Sequence, residues 1–161
     1  SVIYSLAAVD FALGGKVFYQ LYCTQDGGAT WGMVNQAPFE DYIQRPYQMY
    51  FLTRDLGFVL APLGGKAEGT FFRTDDGGQS FQKLRIPLVP FQQGNETFTP
   101  FVQPREIYQK ENRLVMTVGQ GQDGDFQGGD WGCLAQFVSE DQGFTWQFDQ
   151  LIEGDKANEP G

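Results

Sequence analysis

Three short segments of this chain read alike: Thr24-Gln-Asp26-Gly-Gly28-Ala-Thr30-Trp31, Thr74-Asp-Asp76-Gly-Gly78-Gln-Ser80-Phe81 and Ser139-Glu-Asp141-Gln-Gly143-Phe-Thr145-Trp146. Each fits Ser/Thr-x-Asp-x-Gly-x-Thr/Ser-aromatic, and self-similarity of this kind marks a repeat architecture. The starts lie 50 and then 65 residues apart. The residue types suit a tight turn. An Asp carboxylate accepts backbone N–H groups, glycine supplies positive φ, a hydroxyl bonds locally, and the closing aromatic enters the sheet interior.

The similarity extends past the turn. A shift of 50 residues places Leu13-Gly14-Gly15-Lys16 on Leu63-Gly64-Gly65-Lys66, Val9 on Val59 and Leu21-Tyr22 on Phe71-Phe72. The third unit is longer because of a Gly/Asp-rich insertion, about 119–132. Short apolar alternation between turn signals predicts four strands per unit and little room for a helix. In the second unit they fall near 47–53, 57–63, 69–74 and 81–86, and in the third near 105–109, 113–118, 133–139 and 145–151. The first unit needs its opening strand at about Val2–Ser5.

These turns resemble the Asp-box, or bacterial neuraminidase repeat, of sialidase-like β-propellers. The Thr-x-Asp-Gly-Gly-x-Thr-Trp form is also similar to that of photosystem II assembly factors, and sortilin-type receptors are a further neighbouring family. The resemblance implies an all-β fold of three four-stranded antiparallel blades, at about 1–37, 47–88 and 104–152, in one segment over 1–154 followed by a flexible tail at 155–161. Propellers close with about four to eight blades. The expectation is therefore part of a larger propeller, favoured by a start at Ser1 rather than Met, or a half-propeller completed by a second copy, or an irregularly capped arc.

Composition narrows the partners. A net charge of −9 argues against nucleic acid and anionic membranes, which need clustered Lys and Arg. The absence of His removes Ser-His-Asp and Cys-His catalysis and the commonest zinc ligand. Cys23 and Cys133 fall on strands of different units, so free buried thiols are expected rather than a disulfide. No apolar run suggests a membrane span. The expected location is extracellular or cell-surface, and the expected partner is a glycan or a protein.

If the first strand of each blade is innermost, the loops at 35–46, 87–104 and 119–132 share one face with the Gly-Gly-Lys turns, and the Asp-boxes lie on the other. Binding candidates on the loop face are Tyr42, Arg45, Tyr47, Arg105 and Trp131. Their aromatic and guanidinium groups suit stacking and bidentate hydrogen bonds to sugars or peptides. Asp26, Gly28, Trp31, Asp76, Gly78, Phe81, Asp141, Gly143 and Trp146 are expected to be scaffold.

Sialidase chemistry implies an arginine triad, a Tyr–Glu pair and an acid/base Asp. Leu84-Arg85-Ile86-Pro87 is similar to the family's first arginine motif, but it follows the second box on an outer strand and reads as a coincidence. Arg45, Arg54 and Arg105 have no triad spacing. Glu40, Asp41 and Glu106 are the carboxylates to nominate for a two-carboxylate glycosidase. A non-catalytic binding module is the favoured reading and a segment of a sialidase-like or endoglucanase-like hydrolase the alternative. Asp123, Asp125 and Asp130 resemble half of an oxygen-rich calcium loop, though Leu134 stands where a closing Glu belongs, so no metal or other cofactor is expected. Asn95-Glu96-Thr97 is a glycosylation sequon.

Overall fold

A computed structural model describes residues 1–62, 69–88, 90–121, 123–126 and 132–154. The strands are β1 (Ile3–Phe11), β2 (Val17–Thr24), β3 (Gly32–Asn35), β4 (Gln48–Phe51), β5 (Gly57–Leu60), β6 (Thr70–Thr74), β7 (Gln82–Arg85), β8 (Phe91–Gln93), β9 (Glu96–Phe98), β10 (Gln103–Lys110), β11 (Arg113–Gly119), β12 (Cys133–Ser139) and β13 (Gln147–Glu153). They form antiparallel sheets in the orders β1-β2-β3, β4-β5-β6-β7, β8-β9 and β10-β11-β12-β13. Among the described residues the only helical element is the three-residue 3-10 turn Leu13–Gly15.

Two expectations need correction. The first sheet has three strands, because Ile3–Phe11 runs as one strand against β2 from Ile3↔Thr24 to Phe11↔Val17. Apolar residues continue past Ser5 with no Gly, Pro or Asn to break them, so nothing ends a strand there. By the repeat, β1 matches β5, and among the described residues no strand pairs with its other edge. The 87–104 segment is also more than a loop. It contains the β8–β9 hairpin, with Gly94 at φ 63 in its two-residue turn.

Contacts divide the chain into two compact units, one of residues 1–64 with 72–83 and the other of 65–71 with 84–161. In the first, Val17, Tyr19, Phe39, Ile43, Val59, Ala61 and Phe72 form a buried core, with Leu6, Met49 and Phe81 against it. The Phe39 ring lies 4.6 Å from Phe72 and 5.4 Å from Phe81. Tyr4 stacks on Phe51 at 3.8 Å, and its hydroxyl donates to the Arg54 carbonyl at 2.6 Å. In the second unit Ile107, Val115, Met116, Val118 and Ala135 are fully buried along β10–β12. Trp146 packs edge-on to Phe71 at 6.0 Å.

The three recurrent turns share one hydrogen-bond pattern. At the first, Thr24 Oγ1 accepts the Gly28 N–H at 2.9 Å and donates to Asp26 at 2.8 Å. Asp26 then accepts the Thr30 N–H at 2.9 Å and the Thr30 hydroxyl at 2.6 Å. Thr74, Asp76 and Ser80 repeat these bonds, as do Ser139, Asp141 and Thr145. Gly28, Gly78 and Gly143 sit at φ 101, 89 and 87, where L side chains are strained. Trp31 and Trp146 each donate their indole N–H back to the glycine carbonyl, at 3.2 and 3.0 Å.

Candidate functional site

The segments before and after β10–β11 meet in the second unit. Thr99 donates its N–H and hydroxyl to Asp125 at 3.1 and 3.0 Å. Gln120, which is buried, closes the joint. Its amide nitrogen donates to the Thr99 carbonyl at 2.8 Å and to Asp125 at 3.0 Å, while its oxygen accepts the Asp125 and Phe126 N–H groups at 3.1 and 2.9 Å. Desolvation works to raise the Asp125 pKa, but the donors from Thr99 and Gln120 outweigh it and hold the carboxyl below its ordinary value. Aromatics fill the space beside this network. Phe126 packs edge-on to Phe91 at 4.9 Å and to Phe98 at 4.7 Å.

A cavity of about 380 Å³ adjoins the aromatic cluster. Pro87, Pro90, Phe91, Gln92 and Phe101 line it from the segment, and Phe137, Trp146, Gln147 and Phe148 from the sheet. A second cavity of about 560 Å³ lies among Gln93, Phe126, Gly132, Cys133, Leu151, Ile152 and Glu153.

In the first unit, the 35–46 segment is anchored by Ile43, which exchanges backbone bonds with Val17 at 2.8 and 3.0 Å. Glu40 and Asp41 are exposed on this segment, with Glu40 at φ 61. Asp41 accepts the N–H of Tyr42 at 2.7 Å. The Tyr42 hydroxyl donates to Asp10, which holds the Asp10 carboxyl low and raises the phenol. Arg45 is exposed, and Tyr47 is 44% exposed with its N–H on the Leu60 carbonyl.

In the second unit Arg105 is buried at the bulge between Pro104 and Glu106, so its guanidinium is not displayed on a rim. Glu106 is exposed opposite Thr117. The nominated carboxylates Glu40, Asp41 and Glu106 are all exposed in this chain. Asp123 is exposed, while Asp125 is engaged by Thr99 and Gln120. Among the described residues no group of three or more His, Cys, Asp or Glu is placed to hold a metal ion. Trp131, Asp130, Gly64-Gly65-Lys66 and the 155–161 tail lie outside the described residues.

Cys23 and Cys133 are free thiols, half-buried and buried, and burial pushes the Cys133 thiol up. No helix among the described residues is long and apolar enough to cross a membrane. Sequence reasoning missed the Thr99–Gln120–Asp125 joint and the cavity. Gly94-Asn95 between Phe-Gln-Gln and Glu-Thr-Phe was the signal for the hairpin, whereas no local pattern announces a bond between residues 26 apart.

No protein-family model and no curated protein sequence matches the chain. Solved structures do. A variant of an α-L-arabinofuranosidase from Fusarium graminearum, in complex with an iminosugar inhibitor, matches 94% of this chain and 45% of its own, at 12% identity and a TM-score of 0.54. A second structure of the same enzyme with an iminosugar inhibitor gives 0.52 at the same identity and coverage. The chain thus spans under half the length of the enzyme it matches. At this identity the likeness is one of fold, and the antiparallel sheets of this chain form a propeller-like all-β architecture.

Proposed function

We propose that the chain is a segment of an Asp-box β-propeller of the sialidase-like superfamily, and that its loop face is a non-catalytic surface recognising a glycan or a protein. The observation that carries this is the joint between Thr99, Gln120 and Asp125. It ties Thr99, in the 87–104 segment, to Gln120 and Asp125 at the start of the 119–132 segment. A pre-organised platform keeps the entropy cost of binding low. The carboxylates nominated for hydrolysis, Glu40, Asp41 and Glu106, are exposed in this chain. Further blades or a second copy of the chain complete the ring in this reading, with an extracellular or cell-surface location.

The likeness to an arabinofuranosidase favours a second reading, a segment of a glycoside hydrolase, with Glu40, Asp41 and Glu106 as the carboxylates to vary. Glycan-array binding and substrate turnover separate the two. The first reading expects saturable glycan binding that falls about tenfold in Asp125→Ala, through the lost ordering of the platform. Turnover of a chromogenic arabinofuranoside, sialoside or β-glucoside, abolished by Glu106→Ala, would reverse the choice. Sedimentation at several concentrations tests the completed ring, where a concentration-dependent dimer supports the half-propeller.

A further inference from the structure

The 380 Å³ cavity lies at the small end of the range of ligand pockets, about 300–1,000 Å³. Its walls are firm. Phe101, Phe137 and Trp146 are 4%, 5% and 3% exposed, whereas Phe148, at 52%, forms the lip. Phe91 packs edge-on to Phe101 at 5.9 Å. The indole N–H of Trp146 is already given to the Gly143 carbonyl at 3.0 Å, so the ring offers the cavity carbon rather than a donor. Among the described lining side chains, polarity comes from the Gln92 and Gln147 amides, and none of these carries a charge although the chain bears −9.

This lining selects its occupant. A charged ligand would lose its hydration against apolar walls with nothing to pair it. A free sugar carries more hydroxyls than two amides can satisfy, and each one left unpaired is costly. An aromatic ring gains edge-to-face contacts with the surrounding rings. We propose that the cavity binds an uncharged aromatic small molecule bearing one hydrogen-bonding group, of the phenol or indole class, with the buried rings packing against it and a glutamine amide at the rim taking its polar atom. This goes beyond the loop-face reading and stands without it, because every lining residue belongs to the second unit.

The test is ¹⁹F NMR titration of the protein with 5-fluoroindole. We expect a saturable shift, competition by indole, and competition by indole-3-acetate weaker by about tenfold, as its carboxylate must be desolvated. Phe148→Gln should weaken binding about fivefold by removing the lip, with thermal unfolding showing that the variant is folded. If that variant does not fold, Gln92→Ala at an exposed position provides the same readout. No saturable shift up to millimolar ligand would overturn the proposal, and so would unchanged binding in the folded variant. Tighter binding of N-acetyltryptophanamide than of indole would also overturn it, in favour of a peptide side chain.

Discussion

Leu21 Cδ2 occupies the space that a Cβ on Gly78 would need, and Gly78 itself is held at φ 89. Leu21 is fully buried, so it has little freedom to retreat. Gly28 holds the same place in the first turn at φ 101, but its Cβ would meet only Trp31 Nε1 at 4.0 Å. Gly28→Ala should therefore cost the backbone strain alone, roughly 1–2 kcal/mol. Gly78→Ala adds overpacking and should cost roughly 2–4 kcal/mol. Urea unfolding of the two variants measures the difference, and equal losses would show that Leu21 yields freely.

Ser139 is buried, and its hydroxyl joins the buried Gly143 N–H to Asp141. Ser139→Ala leaves that N–H without its acceptor and should cost about 1–3 kcal/mol. Ser139→Thr keeps the hydroxyl, as Thr24 and Thr74 do at the matching positions, and should retain most of the stability. A melting temperature for the Ala variant equal to that of the unaltered chain would mean that the bond contributes nothing.

The turn carboxylates predict acid sensitivity. Hydrogen bonds from Thr145, hydroxyl first and then N–H, lower the Asp141 carboxyl to about 2. The Thr30 hydroxyl and N–H also hold Asp26 below its ordinary value, and at Asp76 desolvation acts to raise the carboxyl but the Ser80 and Thr74 bonds outweigh it. Folded values lie below the unfolded one of about 3.9, so the stabilisation is full above that pH and is lost as pH falls toward 2. Chemical denaturation at stepped pH should show stability dropping through this window. Asp141→Asn should be weaker at neutral pH and lose less on acidification, and an unchanged pH slope in that variant would count against the assignment.

Gln120 forms hydrogen bonds to the Thr99 carbonyl, Asp125 and the Phe126 N–H from a buried position. Gln120→Leu removes them without opening a void, and it should destabilise by roughly 2–4 kcal/mol because the buried Phe126 N–H loses its partner. Hydrogen exchange gives a sharper test, as amides of Thr99, Asp125 and Phe126 should lose protection while those of β12 keep theirs. Protection unchanged at all three would show that the segments hold together without the joint.

Much of the strand order was legible because each unit carries its own punctuation. The second and third sheets fall where alternation and turn residues place them, with β12 at Cys133–Ser139 as expected. Repetition misled at the first unit. Four strands in two sheets suggested four in the third, yet Ile3–Phe11 has no internal turn signal to divide it. The candidate residues fared by type of evidence. Tyr42 reads as a binding residue and Asp125 as a calcium ligand, but the hydrogen bonds they make go to Asp10 and to Thr99 and Gln120, of which Asp10 and Thr99 are distant in sequence. Arg105 read as a rim residue, and the bulge in β10 buries it.

By itself the sequence determined the all-β class and the three turns, because a carboxylate, a hydroxyl and a positive-φ glycine within eight residues satisfy one another locally. Only the tertiary structure decided that Leu21 closes against Gly78, that Gln120 bonds to Thr99, and that aromatic rings from 91 to 148 line one cavity. Those relationships depend on which faces meet after the chain has returned on itself. No local pattern encodes them, because the energy resides in contacts between residues far apart in sequence.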